Sequence, residues 1–223
     1  MRHRTAPLLA LLTLLGATAC ETTWDTPNRD VHGPRDTERY IEMLEEEQRV
    51  ASLKVELALE QLALAPDAWV GDLGCGPGTF ALPLAESCPD GLVFASDIEP
   101  LQLDRLRERA AQAELTNVIP VLASYHDPHF PPGRLDLVLI VDTLHHLDYR
   151  REYLRQLQRS LKPGGRLVVL EYKPGDLPVG PPADKKLAEG ELEADMDAAG
   201  WVELERFDTH PNHDFVVFGP AGA

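Results

Sequence analysis

Three short stretches of this 223-residue chain carry residues whose types and spacing suit chemistry. The first runs Val70-Gly71-Asp72-Leu73-Gly74-Cys75-Gly76-Pro77-Gly78-Thr79, with Gly74, Gly76 and Gly78 forming G-x-G-x-G between an apolar run and a helical pattern. Glycine there allows a sharp turn, in places with φ above zero, and lets the backbone approach a ligand with no Cβ in the way. Dinucleotide binders place their third glycine three residues after the second, where Thr79 stands here, and Pro77 removes one N–H from the loop. A pyrophosphate cradle is therefore disfavoured, and a nicotinamide oxidoreductase with it. A ligand with a nucleoside and an amino-acid tail fits better, with Asp72 placed to take the tail's ammonium. The second stretch ends in Asp97, 21 residues past Gly76. An acid at that distance accepts hydrogen bonds from ribose hydroxyls, and it can also cap the helix that begins near Glu99. The third is Val141-Asp142-Thr143-Leu144-His145-His146, directly after an apolar run. His145 suits a general base near neutral pH and Asp142 a cofactor or positioning contact; the alternative is that the two histidines cap or pack the next helix.

These residues need a frame that sets them side by side. Residues 68–73, 92–96, 118–122, 135–141, 166–171, 201–207 and 215–218 read as strands. Helical patterns fall at 79–87, 101–113, 151–161 and 187–199. The run 135–141 is apolar throughout, as for a strand covered on both faces. Alternating strands and helices predict an α/β fold, a doubly wound and mainly parallel seven-stranded sheet with helices on both faces. The last two strands have no helix between them and are expected to pair as a terminal antiparallel hairpin. Ahead of the sheet, Tyr40, Ile41, Leu44, Val50, Leu53, Leu57 and Leu64 approximate an apolar stripe, which predicts one N-terminal helix over 36–64, capped by Asp36 and ended by Pro66.

Over residues 65–218 the sequence resembles the class I S-adenosylmethionine-dependent methyltransferases. DLGCGPGT matches that family's first motif and SDIEP its acidic second; LDLV, HHL and LKPGGRLVVLE follow in order. The resemblance implies S-adenosyl-L-methionine as cofactor. It implies that Gly74, Cys75, Gly76 and Gly78 line the methionine side, that Asp97 binds ribose and that Ile98 packs on adenine. Ser124 falls where many members have Asp or Asn reaching the adenine amino group, with the Tyr125 backbone as the substitute contact. Val141 and Asp142 would end the fourth strand beside the methyl-bearing sulfur. Within the family, the chain is most similar to small bacterial members with a leader peptide.

Composition narrows the acceptor. A formal net charge of -16 repels nucleic acid, whose binding rests on Lys and Arg. The expected partner is a small-molecule methyl acceptor, bound by a monomer. A binding protein of the same fold without turnover is the competing reading. His126, His129, His210 and His213 lie on loops whose spacing fixes no metal geometry, so no metal is expected. Residues 1–20 (MRHRTAPLLALLTLLGATAC) have the basic start, apolar run and small-residue end of a secretory signal peptide. Cys20 in that position resembles the lipid anchor of bacterial lipoproteins. An exported protein in the cell envelope follows, with membrane contact only through Cys20; the alternative is a cytoplasmic protein whose leader is not used. Residues 21–35 read as a linker and 36–223 as the methyltransferase domain.

Overall fold

The computed structural model describes residues 36–222; the expectations for residues 1–35, Cys20 among them, lie outside the described residues. Seven strands form one sheet: β1 (Trp69–Leu73), β2 (Leu92–Asp97), β3 (Val118–Leu122), β4 (Leu135–Val141), β5 (Leu161–Tyr172), β6 (Trp201–Phe207) and β7 (His213–Pro220). Their order is β3-β2-β1-β4-β5-β7-β6. The first five strands are parallel, and β7 lies antiparallel between β5 and β6. The doubly wound sheet and its antiparallel terminal pair are therefore as expected. The chain moves outward from β1 in one direction through β2 and β3, and in the other from β4 through β5. That reversal opens a crevice above the carboxyl ends of β1 and β4, where such sheets bind ligands.

The strands hold their positions because their side chains alternate between two apolar layers. Leu137 and Leu139 of β4, Val168 and Leu170 of β5, and Phe215 and Val217 of β7 join one cluster. Val138 and Ile140, Leu167 and Val169, and Val216 and Phe218 join the other. The first layer packs on α3 (Val55–Leu62), α4 (Ala81–Ser87) and α5 (Pro100–Gln112), the second on α6 (Arg150–Leu157) and α7 (Glu191–Ala198).

Two expectations are corrected. The single helix over 36–64 is three short ones: α1 (Thr37–Leu44), α2 (Glu47–Ser52) and α3. Glu46 is extended and Lys54 left-handed at φ 44°, so the axis turns twice. Tertiary contacts favour those turns over a continuous stripe. Glu45 pairs with Arg105 and Arg109 on α5, Arg49 reaches the tip of β4, and Leu53 and Leu62 enter the core. The fifth strand, expected over 166–171, begins earlier: the KPGG segment that separates it from the helix expected over 151–161 lies within β5. The strand pairs with Leu135 through Leu161, shifts register, and pairs again from Arg166, so the extra residues are absorbed as an irregularity.

Candidate active site

The loop after β1 follows from its glycines. Gly74 adopts φ 71°, and a Cβ there would run into the Thr143 side chain after β4. Gly76, at φ 52°, has only Leu44 and Gln102 near where a Cβ would stand, at 3.4 and 3.8 Å. Its N–H donates to Asp97 Oδ2 at 2.9 Å, while Glu99 N–H donates to Asp97 Oδ1 at 2.9 Å. The carboxylate at the tip of β2 is thus aimed by two backbone donors and keeps lone pairs for further hydroxyl groups. Burial raises the Asp97 pKa, against the lowering effect of those N–H donors.

A cavity of about 700 Å³ opens above the sheet. Its lining includes Asp72, Gly74, Cys75, Gly76, Asp97, Ile98, Ser124, Tyr125, Val141, Asp142 and His145. The structure therefore brings together all the expected site residues except Gly78, which lies outside the lining. There a Cβ would strike Leu106, so the glycine allows α5 to pack close to the loop. Ser124 is held within its own turn, its N–H donating to Asp127 O at 2.9 Å. Cys75 is buried, and burial pushes its thiol pKa well up, which keeps it from acting as a thiolate.

Asp72 shows what the site can take. It is buried at 2% exposure, and its Oδ2 has no hydrogen-bond partner among the described residues. Burial, aided by the charge of Asp97, pushes its pKa up to about 7. A buried acid with an unpartnered oxygen, on a residue that lines a cavity, suits a cationic group. With the glycine turn and Asp97, this donor set fits an amino acid joined to a nucleoside.

Sequence reasoning found His145 and Asp142 and missed the residues that position them. His145 Nδ1 lies 2.8 Å from Glu171 Oε1 at the end of β5, and His145 N–H donates to Glu171 Oε2 at 3.3 Å. A carboxylate only accepts, so Nδ1 carries the proton and Nε2 is the basic nitrogen. Burial works against the charged ring, but the hydrogen bond and charge of Glu171, with Asp142, outweigh it and raise the pKa. Asp142 stands at φ 46°, an uncommon value for a non-glycine residue, and its Oδ2 accepts from Arg49 Nη2 of α2 at 3.0 Å. Its Oδ1 lies 3.1 Å from His213 Nε2, without the alignment of a hydrogen bond. Tyr40, Arg49, Gln102 and Tyr172 also line the cavity. The HHL motif signalled His145. Nothing local signalled Glu171 or Arg49, which lie 26 and 93 residues from their partners. His210 is outside the cavity lining, with Nε2 at 3.0 Å from Leu53 O, and among the described residues no group of three or more metal-ligating side chains forms.

Comparison with known proteins agrees with this geometry. Residues 70–165 match the family described as "Methyltransferase domain". The chain is similar to the 27-O-demethylrifamycin SV methyltransferase of Amycolatopsis mediterranei, 31% identical over 140 residues, which are 62% of this chain and 50% of the relative. It is also similar to the demethylmenaquinone methyltransferase of Thermus thermophilus, 38% identical over 120 residues, 54% of this chain and 52% of the relative. The chain thus spans about half the length of the curated relatives it matches. A solved S-adenosylmethionine-dependent methyltransferase from Aquifex aeolicus shares the fold, with a TM-score of 0.77 at 22% identity over 83% of this chain and 98% of that one. Residues 70–165 thus resemble a methyltransferase domain, on a fold that the chain shares with a solved S-adenosylmethionine-dependent methyltransferase.

Proposed function

We propose that the whole chain is an S-adenosylmethionine-dependent methyltransferase acting on a small-molecule acceptor. The observation that carries this is the sharing of one cavity by the nucleoside-fitting groups and by a histidine held through its Nδ1 by a buried glutamate. When bound, S-adenosylmethionine supplies an activated methyl group for in-line displacement. Asp72 would hold its ammonium, the 74–76 backbone its methionine portion, Asp97 its ribose, and Ile98, Ser124 and Tyr125 the adenine end. The chain's own task is then alignment and proton removal. Alignment alone is worth roughly 7–11 kcal/mol where the reacting groups are well oriented. His145 takes the acceptor's proton at Nε2, and Glu171 fixes the ring and favours the imidazolium that results. The two curated relatives are named for small-molecule acceptors, in keeping with this reading.

Incubation with methyl-labelled S-adenosylmethionine and a cell extract is expected to place label in a low-mass product. Tight cofactor binding with no label transferred would instead support a binding protein without turnover. Preference for NAD over S-adenosylhomocysteine in calorimetry would reinstate the oxidoreductase reading.

The pattern of residues 1–20 supports a second reading, of an exported protein anchored through Cys20 in the cell envelope. Metabolic labelling with a fatty acid is expected to mark the wild type and not Cys20→Ala; an unlabelled wild type removes the anchor.

A further inference from the structure

The half of the cavity nearest His145 has a charge balance that bears on the acceptor. Among the described residues that line the cavity, Arg49 is the only Arg or Lys, and it is committed: Nη2 donates to Asp142 at 3.0 Å and Nη1 to Leu44 O at 3.3 Å. The two side chains are 18% and 5% exposed, so the pair is largely out of water. Glu171 is committed as well, accepting from the His145 ring, the His145 backbone and Tyr172 N–H at 2.8, 3.3 and 2.9 Å. Glu171 therefore has its donors, and Asp142 its cation at Oδ2, from within the protein; Asp142 Oδ1 has His213 Nε2 near it, at 3.1 Å, and Glu46, also in the lining, is exposed to water. The surrounding wall includes Tyr40, Met43, Leu53, Tyr172, Val179 and Pro181.

An anionic acceptor would have to lose its water in a chamber whose single guanidinium is already paired, with Asp72 and Asp97 close by in the same cavity. A cationic acceptor would find the charge of Asp142 already balanced by Arg49 and Glu171 satisfied by three N–H donors. A neutral molecule meets neither cost, and its hydroxyl can donate to the basic nitrogen of His145. We propose that the acceptor is an uncharged, largely apolar molecule presenting a hydroxyl group, and that the Arg49–Asp142 pair is the specificity determinant that excludes charged acceptors. This deepens the methyltransferase reading and rests on it.

Three probes of one shape test it: 2-naphthol, 2-naphthoate and 2-naphthylmethylammonium, titrated at pH 7 by calorimetry into protein saturated with S-adenosylhomocysteine. Naphthol is expected to bind at least about tenfold tighter than either charged probe, the worth of one charge-assisted hydrogen bond. Arg49→Gln leaves Asp142 unpaired and is expected to improve the ammonium probe against naphthol by about tenfold, whereas Arg49→Lys keeps the wild-type ranking. Naphthol binding no tighter than a charged probe in the wild type overturns the proposal, whatever the variants' folding. So does an unchanged ranking in a folded Arg49→Gln protein. Failure of S-adenosylhomocysteine itself to bind is a separate result, which removes the methyltransferase reading and this inference with it.

Discussion

Replacing His145 with alanine is expected to lower kcat by about 10²–10⁴-fold, the usual worth of a positioned general base. The dissociation constant for S-adenosylhomocysteine should stay unchanged. The split follows from geometry: the ring hydrogen-bonds Glu171, whereas the cofactor-fitting groups stand on the 72–76 turn and at Asp97. A merely structural histidine would move both numbers. Glu171→Gln gives a sharper test, because it removes the charge while keeping the side chain's shape. Glu171 favours the protonated ring, so its loss lowers the His145 pKa. The neutral, base-competent form then persists to lower pH. The acidic limb of the kcat/KM profile should therefore shift toward lower pH in Glu171→Gln. If kcat in His145→Ala matches the wild type, the acceptor needs no base here and the proton-transfer role is wrong.

Cofactor affinity is expected to fall steeply below neutral pH, and Asp72 is the cause. Its pKa is pushed up to about 7 because burial disfavours the charge. A bound ammonium would restore the charged form. Binding then requires Asp72 to lose its proton, and the Kd for S-adenosylmethionine should rise by up to about tenfold for each pH unit below 7. Between pH 7 and pH 5 that approaches a hundredfold loss by the same linkage. In Asp72→Asn the proton-linked slope should vanish, with weak binding throughout. The stability of the unliganded protein follows the same group with a definite sign. Its folded pKa lies above the ordinary value of 3.8, so its stabilising share is complete below that value and lost as pH rises through about 7. Saturating cofactor should offset that loss. Calorimetry and thermal melts across pH 5–8 check both effects; a flat Kd in the wild type would mean that Asp72 does not meet the ammonium.

What could be read from the chain itself has a common physical character: it is local. The G-x-G-x-G turn is legible because its glycines take positive φ, at Gly74, Gly76 and Gly78 alike, and backbone preference is a property of the residue. The strands around it are legible because a two-residue alternation or a continuous apolar run persists over neighbouring positions. Trp201–Phe207 and Leu135–Val141 have the bounds expected of them. Asp97 is legible because it directly follows the run expected as a strand, and His145 because it lies four residues past one.

Tertiary structure alone decided the rest, because it depends on which distant segments the winding of the sheet makes neighbours. The insertion of β7 between β5 and β6 sets His213 beside Asp142 and leaves β6 at the sheet's edge. The parallel pairing of β4 with β5 puts Glu171 beside His145. The breaks in the leading helices cost local hydrogen bonds, and no stripe of apolar residues foretells them. They are offset by contacts made only after folding, at Glu45 with α5 and at Arg49 with Asp142. Residue order thus determined where a nucleoside cofactor can sit, since that site is a turn and a strand tip. Glu171 and Arg49, the partners of His145 and Asp142, come from elements far apart in the chain, and only packing brings those charges within hydrogen-bonding distance.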